Sequence, residues 1–291
     1  MIKKKLIKNS KKIDLFLIKF LKKQKQSLLV KPMKYGVISG GKKIRSTIIF
    51  DTGKIFNISE KKLVNICAAV ECIHSYSLIH DDLPCMDNDL FRRGKPSTHI
   101  KYGEASAVLA GSSLLTLAFE IITDKSYILS PKSKNEIIRS LANCSGHTGI
   151  AGGQELDLKF ENKNKKLNQI IDMQKKKTGK LFNFCLYAVG VVANKKIKEK
   201  SFLSNLGEEI GLLFQLADDF LDMKGSKKLM GKVLKKDNKK GKSTLLSLMG
   251  EKKAYVYALN LKKKILLKLR KHGKKAKNLI NTIEFILERN F

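Results

Sequence analysis

The stretch GEEIGLLFQLADDFLD, Gly207 to Asp222, reads as a helix with one polar stripe on an otherwise apolar cylinder. Gly207, Gly211, Gln215, Asp218 and Asp222 are spaced by four, four, three and four, which is a single helical face. Leu206, Ile210, Leu213, Phe214, Ala217, Phe220 and Leu221 fill the other sides. A helix that is apolar on most sides is expected to be buried. Aspartates on the stripe of such a helix are costly unless they meet cations.

A second acidic run points the same way. LIHDDLPCMDNDLFRRG, Leu78 to Gly94, places Asp81, Asp82, Asp87 and Asp89 close together and follows them with Arg92 and Arg93. Crowded carboxylates repel one another, so something cationic should sit among them. The residues before them form a helix from Glu60 to Asp82, with Leu63, Cys67, Val70, His74, Ser77 and Asp81 on one face. Pro84 then disfavours helix at Leu83. In an unbroken helix Asp87 would lie about 240° round from Asp81. If the two share an ion, the chain between them must bulge.

Oxygen ligands suit hard divalent cations, and Mg²⁺ is commonly held by one or two carboxylates plus substrate phosphates. Two helices carrying aspartate pairs, with Mg²⁺ between them, would clamp a diphosphate. Lys42 and Arg45 in GGKKIRS, with Arg92, Arg93, Lys177, Lys232 and Lys242, could close the remaining sides. Arginine is scarce here and binds phosphate bidentately, so GGKKIR and RRG carry more weight than the lysines.

The rest of the chain sets the frame. Helical periodicity covers about 61–82, 105–123, 135–150, 168–193, 202–223, 252–270 and 276–289, and Ile13, Phe16, Leu17, Phe20 and Leu21 form another face. Alternating strand-like runs are nearly absent. No Ser/Pro/Gly-rich linker divides the 291 residues. The expectation is all-α, a single large helical bundle forming one domain over 1–291. The net charge of +33 favours anionic partners, but the lysines are scattered as pairs and triplets and there is no Trp. This argues for a solvated surface over a nucleic-acid footprint; weak contact with anionic membrane remains compatible. The five cysteines form no CxxC pair, which fits free buried thiols in a reducing compartment. IDLFLIKFL near the N-terminus is broken by Asp14 and Lys19, and no run of about 18 apolar residues was found. The expectation is a cytoplasmic protein with no stable membrane insertion.

GGKKIRS, VECIHSYSLIHDDLPCMDNDLFRRGKPSTH, LAGSSLLTLAFE, GGQELDL, KKTGKLF and GLLFQLADDFLD occur in this order. Over about 35–289 the chain resembles the short-chain trans-isoprenyl diphosphate synthases, the bacterial and plastid type of farnesyl and geranylgeranyl diphosphate synthase. The resemblance implies a helical bundle around a central cavity, usually a homodimer. It implies condensation of an allylic diphosphate with isopentenyl diphosphate. Asp81, Asp82 and Asp87, with Asp218, Asp219 and Asp222, would hold three Mg²⁺ per active site, Mn²⁺ being an alternative. Arg92, Lys177, Lys232 and Lys242 would hold the allylic diphosphate. Lys42, Arg45, His74 and Arg93 match the isopentenyl diphosphate site, and Thr178 and Gln215 lie near the reacting carbons. An aromatic at Tyr76, with four residues between Asp82 and Asp87, resembles farnesyl (C15) synthases; DDLPCMDND itself looks more like the geranylgeranyl (C20) type. A terpene cyclase of the same fold is the remaining alternative, but DDFLD in place of an Asn/Ser/Glu metal motif favours chain elongation. Leu90 and Ser112 stand where the family commonly has acids, and 224–250 departs from its pattern.

Overall fold

A computed structural model describes residues 2–24, 27–38, 40–230 and 244–288, with the backbone alone over 224–230. Among the described residues there are fourteen α-helices, a π-helical turn, a 3-10 stretch and one two-stranded hairpin. The all-α expectation holds. The chain divides into two compact units, Met1–Ala142 with Cys185–Lys200, and Asn143–Phe184 with Ser201–Phe291.

In the first unit α1 (Ile2–Lys23), α2 (Val30–Ile38) and α3 (Ile44–Ile55) surround α4 (Glu60–Asp81). A hairpin of β1 (Phe91–Arg92) and β2 (Lys95–Pro96) leads to α5 (Thr98–Tyr102), α6 (Glu104–Thr123) and α7 (Pro131–Ser145). Residues 66–73 of α4 are buried on every side, because ICAAVECI is small or apolar except at Glu71, whose carboxylate accepts from Ser46 Oγ at 2.7 Å. α3 escapes detection by periodicity for a related reason. Its Ser46, Thr47, Asp51 and Thr52 are buried along with Ile48, Ile49 and Phe50, so no stripe separates in from out. The Asp51 carboxylate, 0% exposed, is tolerable because Lys5 of α1 reaches it at 2.7 Å. Asn9 adds a bond to Thr47 at 3.1 Å. These contacts tie the lysine-rich first helix to the core.

The second unit holds α8 (Ile150–Phe160), α9 (Leu167–Gln174), the π-helical turn Lys175–Gly179, the start of α10 (Lys180–Val192) and most of α11 (Ile197–Met230). α12 (Leu245–Met249), α13 (Glu251–Leu269), the 3-10 stretch Arg270–Ala276 and α14 (Lys277–Glu288) complete it. The helix expected over 135–150 stops at Ser145. A Cβ on Gly149 would lie 2.0 Å from the Cys144 carbonyl oxygen, so the chain turns there too tightly for any side chain. The small residues of the α11 stripe also find their reason. A Cβ on Gly207 would stand 2.3 Å from the Phe182 carbonyl oxygen, and one on Gly211 would stand 2.7 Å from Gly179 Cα. The stripe is where backbone meets backbone.

One expectation is corrected. All five cysteines are free, but Cys85 is exposed. Two helices, α4 and α6, are long and apolar enough to cross a membrane by length and composition. The most apolar window of α4 is 78% buried within the protein, as a core helix should be, whereas that of α6 is 44% buried.

Candidate active site

The first acidic motif begins where α4 ends. Leu83 N–H still bonds back to His80, but Pro84 cannot continue the ladder and the chain folds back. Asp87 N–H donates to the Asp81 carbonyl at 2.8 Å, and Asp89 N–H to the Asp82 carbonyl at 3.2 Å. Asn88 takes φ +49° to close the turn. This is the bulge that a shared ion would need: the Asp87 backbone returns beside that of Asp81 instead of continuing round the helix.

Asp82 is 2% exposed. Arg92 donates to it from Nε at 2.9 and 3.3 Å and also through Nη2, while Nη2 reaches Asp89 at 3.1 Å. Burial pushes the Asp82 carboxyl above its ordinary value, Arg92 pulls it down and Asp89 pushes it up. A cleft of about 340 Å³ opens here, lined by Asp82, Arg92, Arg93 and Ser75 among others. His74 lies two turns before Asp81. Burial, then Arg45, Arg93, Lys43 and Arg92, hold its imidazole well below the usual range, so it is neutral near pH 7. Arg45 and His74 are half-buried, as is Lys42, and Arg93 is exposed with Nη1 bonded to the Gly40 carbonyl at 2.7 Å. Tyr76 is buried and meets the His80 ring edge-on at 5.4 Å. A Cβ on Gly111 would lie 2.3 Å from His80 Nε2, so that glycine makes room for the imidazole backing Tyr76.

In the second unit a continuous polar chain runs across three elements. Thr178 Oγ1 donates to Gln215 Oε1 at 2.7 Å, and Gln215 Nε2 donates to Asp219 Oδ1 at 2.9 Å. Gln174 Nε2 donates to Asp219 Oδ2 at 3.2 Å. Asp219 is buried, Asp218 half-buried and Asp222 exposed. Burial pushes the Asp219 carboxyl up to about 7; the two glutamine amides resist this and the charges of Asp222 and Asp218 add to it. Lys177 projects from the π-helical turn and binds Asp157 Oδ2 at 2.6 Å. π-turns of this kind are frequent at functional sites. A Cβ on Gly153 would stand 2.2 Å from the Lys177 backbone nitrogen, so α8 reaches the turn only through a glycine.

Asp157 and Gln174 were not singled out from sequence. Their partners lie 20 and 45 residues away, beyond the reach of local spacing. GGQELDL was the available signal for Asp157. Lys232 and Lys242 lie outside the described residues.

The donor set fits a hard cation. Among the described residues no three His, Cys, Asp or Glu side chains converge into a closed cluster. Carboxylates that repel one another, with basic groups nearby, suit Mg²⁺ that takes phosphate oxygens as its remaining ligands. Residues 26–283 match the family model described as polyprenyl synthetase. The farnesyl diphosphate synthase of Escherichia coli is 42% identical over 235 residues, covering 80% of this chain and 79% of that one. An apo FPP/GFPP synthase structure from Zymomonas mobilis superimposes with a TM-score of 0.87 at 36% identity, covering 97% of each chain. A geranyltransferase from Helicobacter pylori, complexed with magnesium and isoprenyl diphosphate, has a TM-score of 0.80 at 30% identity, covering 98% of this chain and 96% of that one. The chain belongs to the polyprenyl synthetase family.

Proposed function

We propose that this chain is a Mg²⁺-dependent trans-prenyltransferase that joins isopentenyl diphosphate to dimethylallyl and geranyl diphosphates, giving farnesyl diphosphate. The observation that carries the reading is the fold-back after α4, which bonds the Asp87 N–H to the Asp81 carbonyl and lays Arg92 on Asp82, in a member of this family. Asp81, Asp82 and Asp87 hold Mg²⁺ in the first unit, and Asp218, Asp219 and Asp222 in the second, three ions in all. Mn²⁺ is the alternative ion. Bound Mg²⁺ neutralises the charge of the leaving diphosphate.

The chain's own residues do the rest. Arg92 and Lys177 hold the allylic diphosphate, and each is parked on a carboxylate here, Arg92 on Asp82 and Lys177 on Asp157. Lys42, Arg45 and Arg93 bind isopentenyl diphosphate, with neutral His74 as a hydrogen-bonding partner. As the allylic C–O bond ionises, its electron pair leaves with the diphosphate. The isopentenyl double bond attacks the allylic carbon, and a proton is lost to the departing diphosphate. Thr178 and Gln215, locked together at 2.7 Å, turn oxygen atoms toward developing positive charge.

The two units act as one polyprenyl synthase domain; the family match runs across both. The reading includes a homodimer, and Val108 and Leu109, 42% and 53% exposed on the apolar helix α6, support it. Purified protein with Mg²⁺ and radiolabelled isopentenyl diphosphate is expected to make farnesyl diphosphate, read by chromatography. No elongated product, or product formed equally in EDTA, overturns the proposal.

Tyr76 sets the product length. It lies about 7.5 Å before Asp81 along α4, with His80 behind it. Tyr76→Ala is expected to move the main product from C15 to C20 or longer. An unchanged chromatogram removes Tyr76 from that role.

A further inference from the structure

The Gly40–Gly41 turn ahead of α3 holds both residues at positive φ, +94° and +98°. The two glycines differ in what surrounds them. A Cβ on Gly40 would meet nothing within 4 Å. A Cβ on Gly41 would lie 2.7 Å from Cζ, 2.9 Å from Nη1 and 3.0 Å from Nη2 of Arg93. Cζ is the nearest and both Nη atoms are only slightly farther, so the flat face of the group lies over the place a Gly41 side chain would take. Nη1 donates to the Gly40 carbonyl at 2.7 Å. Arg93 itself stands at φ +54°, in the left-handed region that non-glycine residues seldom use. Two turns, 53 residues apart in the chain, therefore interlock through one guanidinium.

We infer that Gly41 is a positioning residue for Arg93: the missing side chain forms the seat on which the guanidinium rests, and the Gly40 carbonyl fixes its rotation. This rests on the reading that Arg93 binds isopentenyl diphosphate. Among the described residues the carbonyl engages only Nη1, leaving the Nε and Nη2 edge for bidentate phosphate recognition. A guanidinium already ordered by its seat loses less freedom on binding. The side chain is otherwise solvent-exposed, and without the seat it would sample many rotamers.

Gly40→Ala and Gly41→Ala separate strain from displacement, because both glycines have nearly the same φ and alanine is strained at either. Both variants are expected to lower Tm. Gly41→Ala is expected to raise the KM for isopentenyl diphosphate on the order of tenfold or more, with a much smaller change for the allylic diphosphate. Gly40→Ala is expected to change the isopentenyl KM less. In an Arg93→Ala background, Gly41→Ala should add nothing to that KM, and its Tm penalty should shrink to that of Gly40→Ala. If Gly41→Ala fails to fold alone, Arg93→Ala is expected to rescue it. Equal effects of the two glycine variants, a full Gly41→Ala effect without Arg93, or unfolding in both backgrounds overturns the seat. An Arg93→Ala enzyme with unaltered isopentenyl KM refutes the binding role instead, and the Tm coupling still decides the seat.

Discussion

Asp82→Asn is expected to lower kcat on the order of a thousandfold while the protein stays folded. The fold survives because the amide keeps an oxygen to accept Arg92 Nε, now 2.9 Å away, and because Arg92 retains Asp89 at 3.1 Å. Burial already disfavours the ionised form of Asp82, so a neutral isostere removes a desolvation cost as well as half an ion pair. What it cannot supply is charge. A carboxylate that is 2% exposed acts on a cation through a medium that screens poorly, and an amide oxygen does not replace it there. Arg92, no longer held by the charge of residue 82, can still bind diphosphate, so the KM values should move far less than kcat. The measurement is initial rate at saturating substrates and Mg²⁺, with circular dichroism as the check on folding. Turnover within about tenfold of the parent would remove Asp82 from the metal-binding set.

The parts of this molecule that were legible in the sequence are those governed by a single period. The α11 stripe, the α4 helix and the end of α4 at Pro84 all follow from spacing and one proline. The need for a bulge between Asp81 and Asp87 was legible too, although the hydrogen bonds that make it were not. α3 was invisible because its polar residues are buried with its apolar ones. The Lys177–Asp157 pair and the Gln174–Asp219 bond join distant segments, and no local rule links them. The glycines show the same limit. Gly207 and Gly211 could be placed on a face, but only coordinates reveal which backbone approaches them. Pairs of basic residues were the least informative signal, since lysine is common throughout this chain.

Asp219→Asn should make the metal-free protein more stable, and increasingly so as the pH rises from about 4 to 7. The carboxyl titrates at 3.8 ordinarily and at about 7 in the fold, where burial and the charges of Asp222 and Asp218 oppose ionisation. Between those values the unfolded chain has released its proton and the folded chain has not. The unfolded state binds fewer protons in that window, so stability falls with rising pH and levels off above about 7. The cost of ionising this group at pH 8 is roughly 2 to 4 kcal/mol, and an amide does not incur it. Hydrogen bonding survives the change. Gln215 and Gln174 both donate to Asp219, and Gln174 Oε1 is buried without a partner. Rotating the Gln174 amide by half a turn lets that oxygen accept from the new NH₂ group. Urea midpoints in EDTA at pH 4, 6 and 8 should show near-equal proteins at the lowest pH and a gap that widens upward; a gap independent of pH would show that this carboxyl is not the cause. Adding Mg²⁺ should then narrow the gap by stabilising the parent more than the variant, because the ion binds the charge that the metal-free fold resists. On the proposed function the reaction needs this carboxylate despite its cost to folding, and the same substitution should abolish turnover.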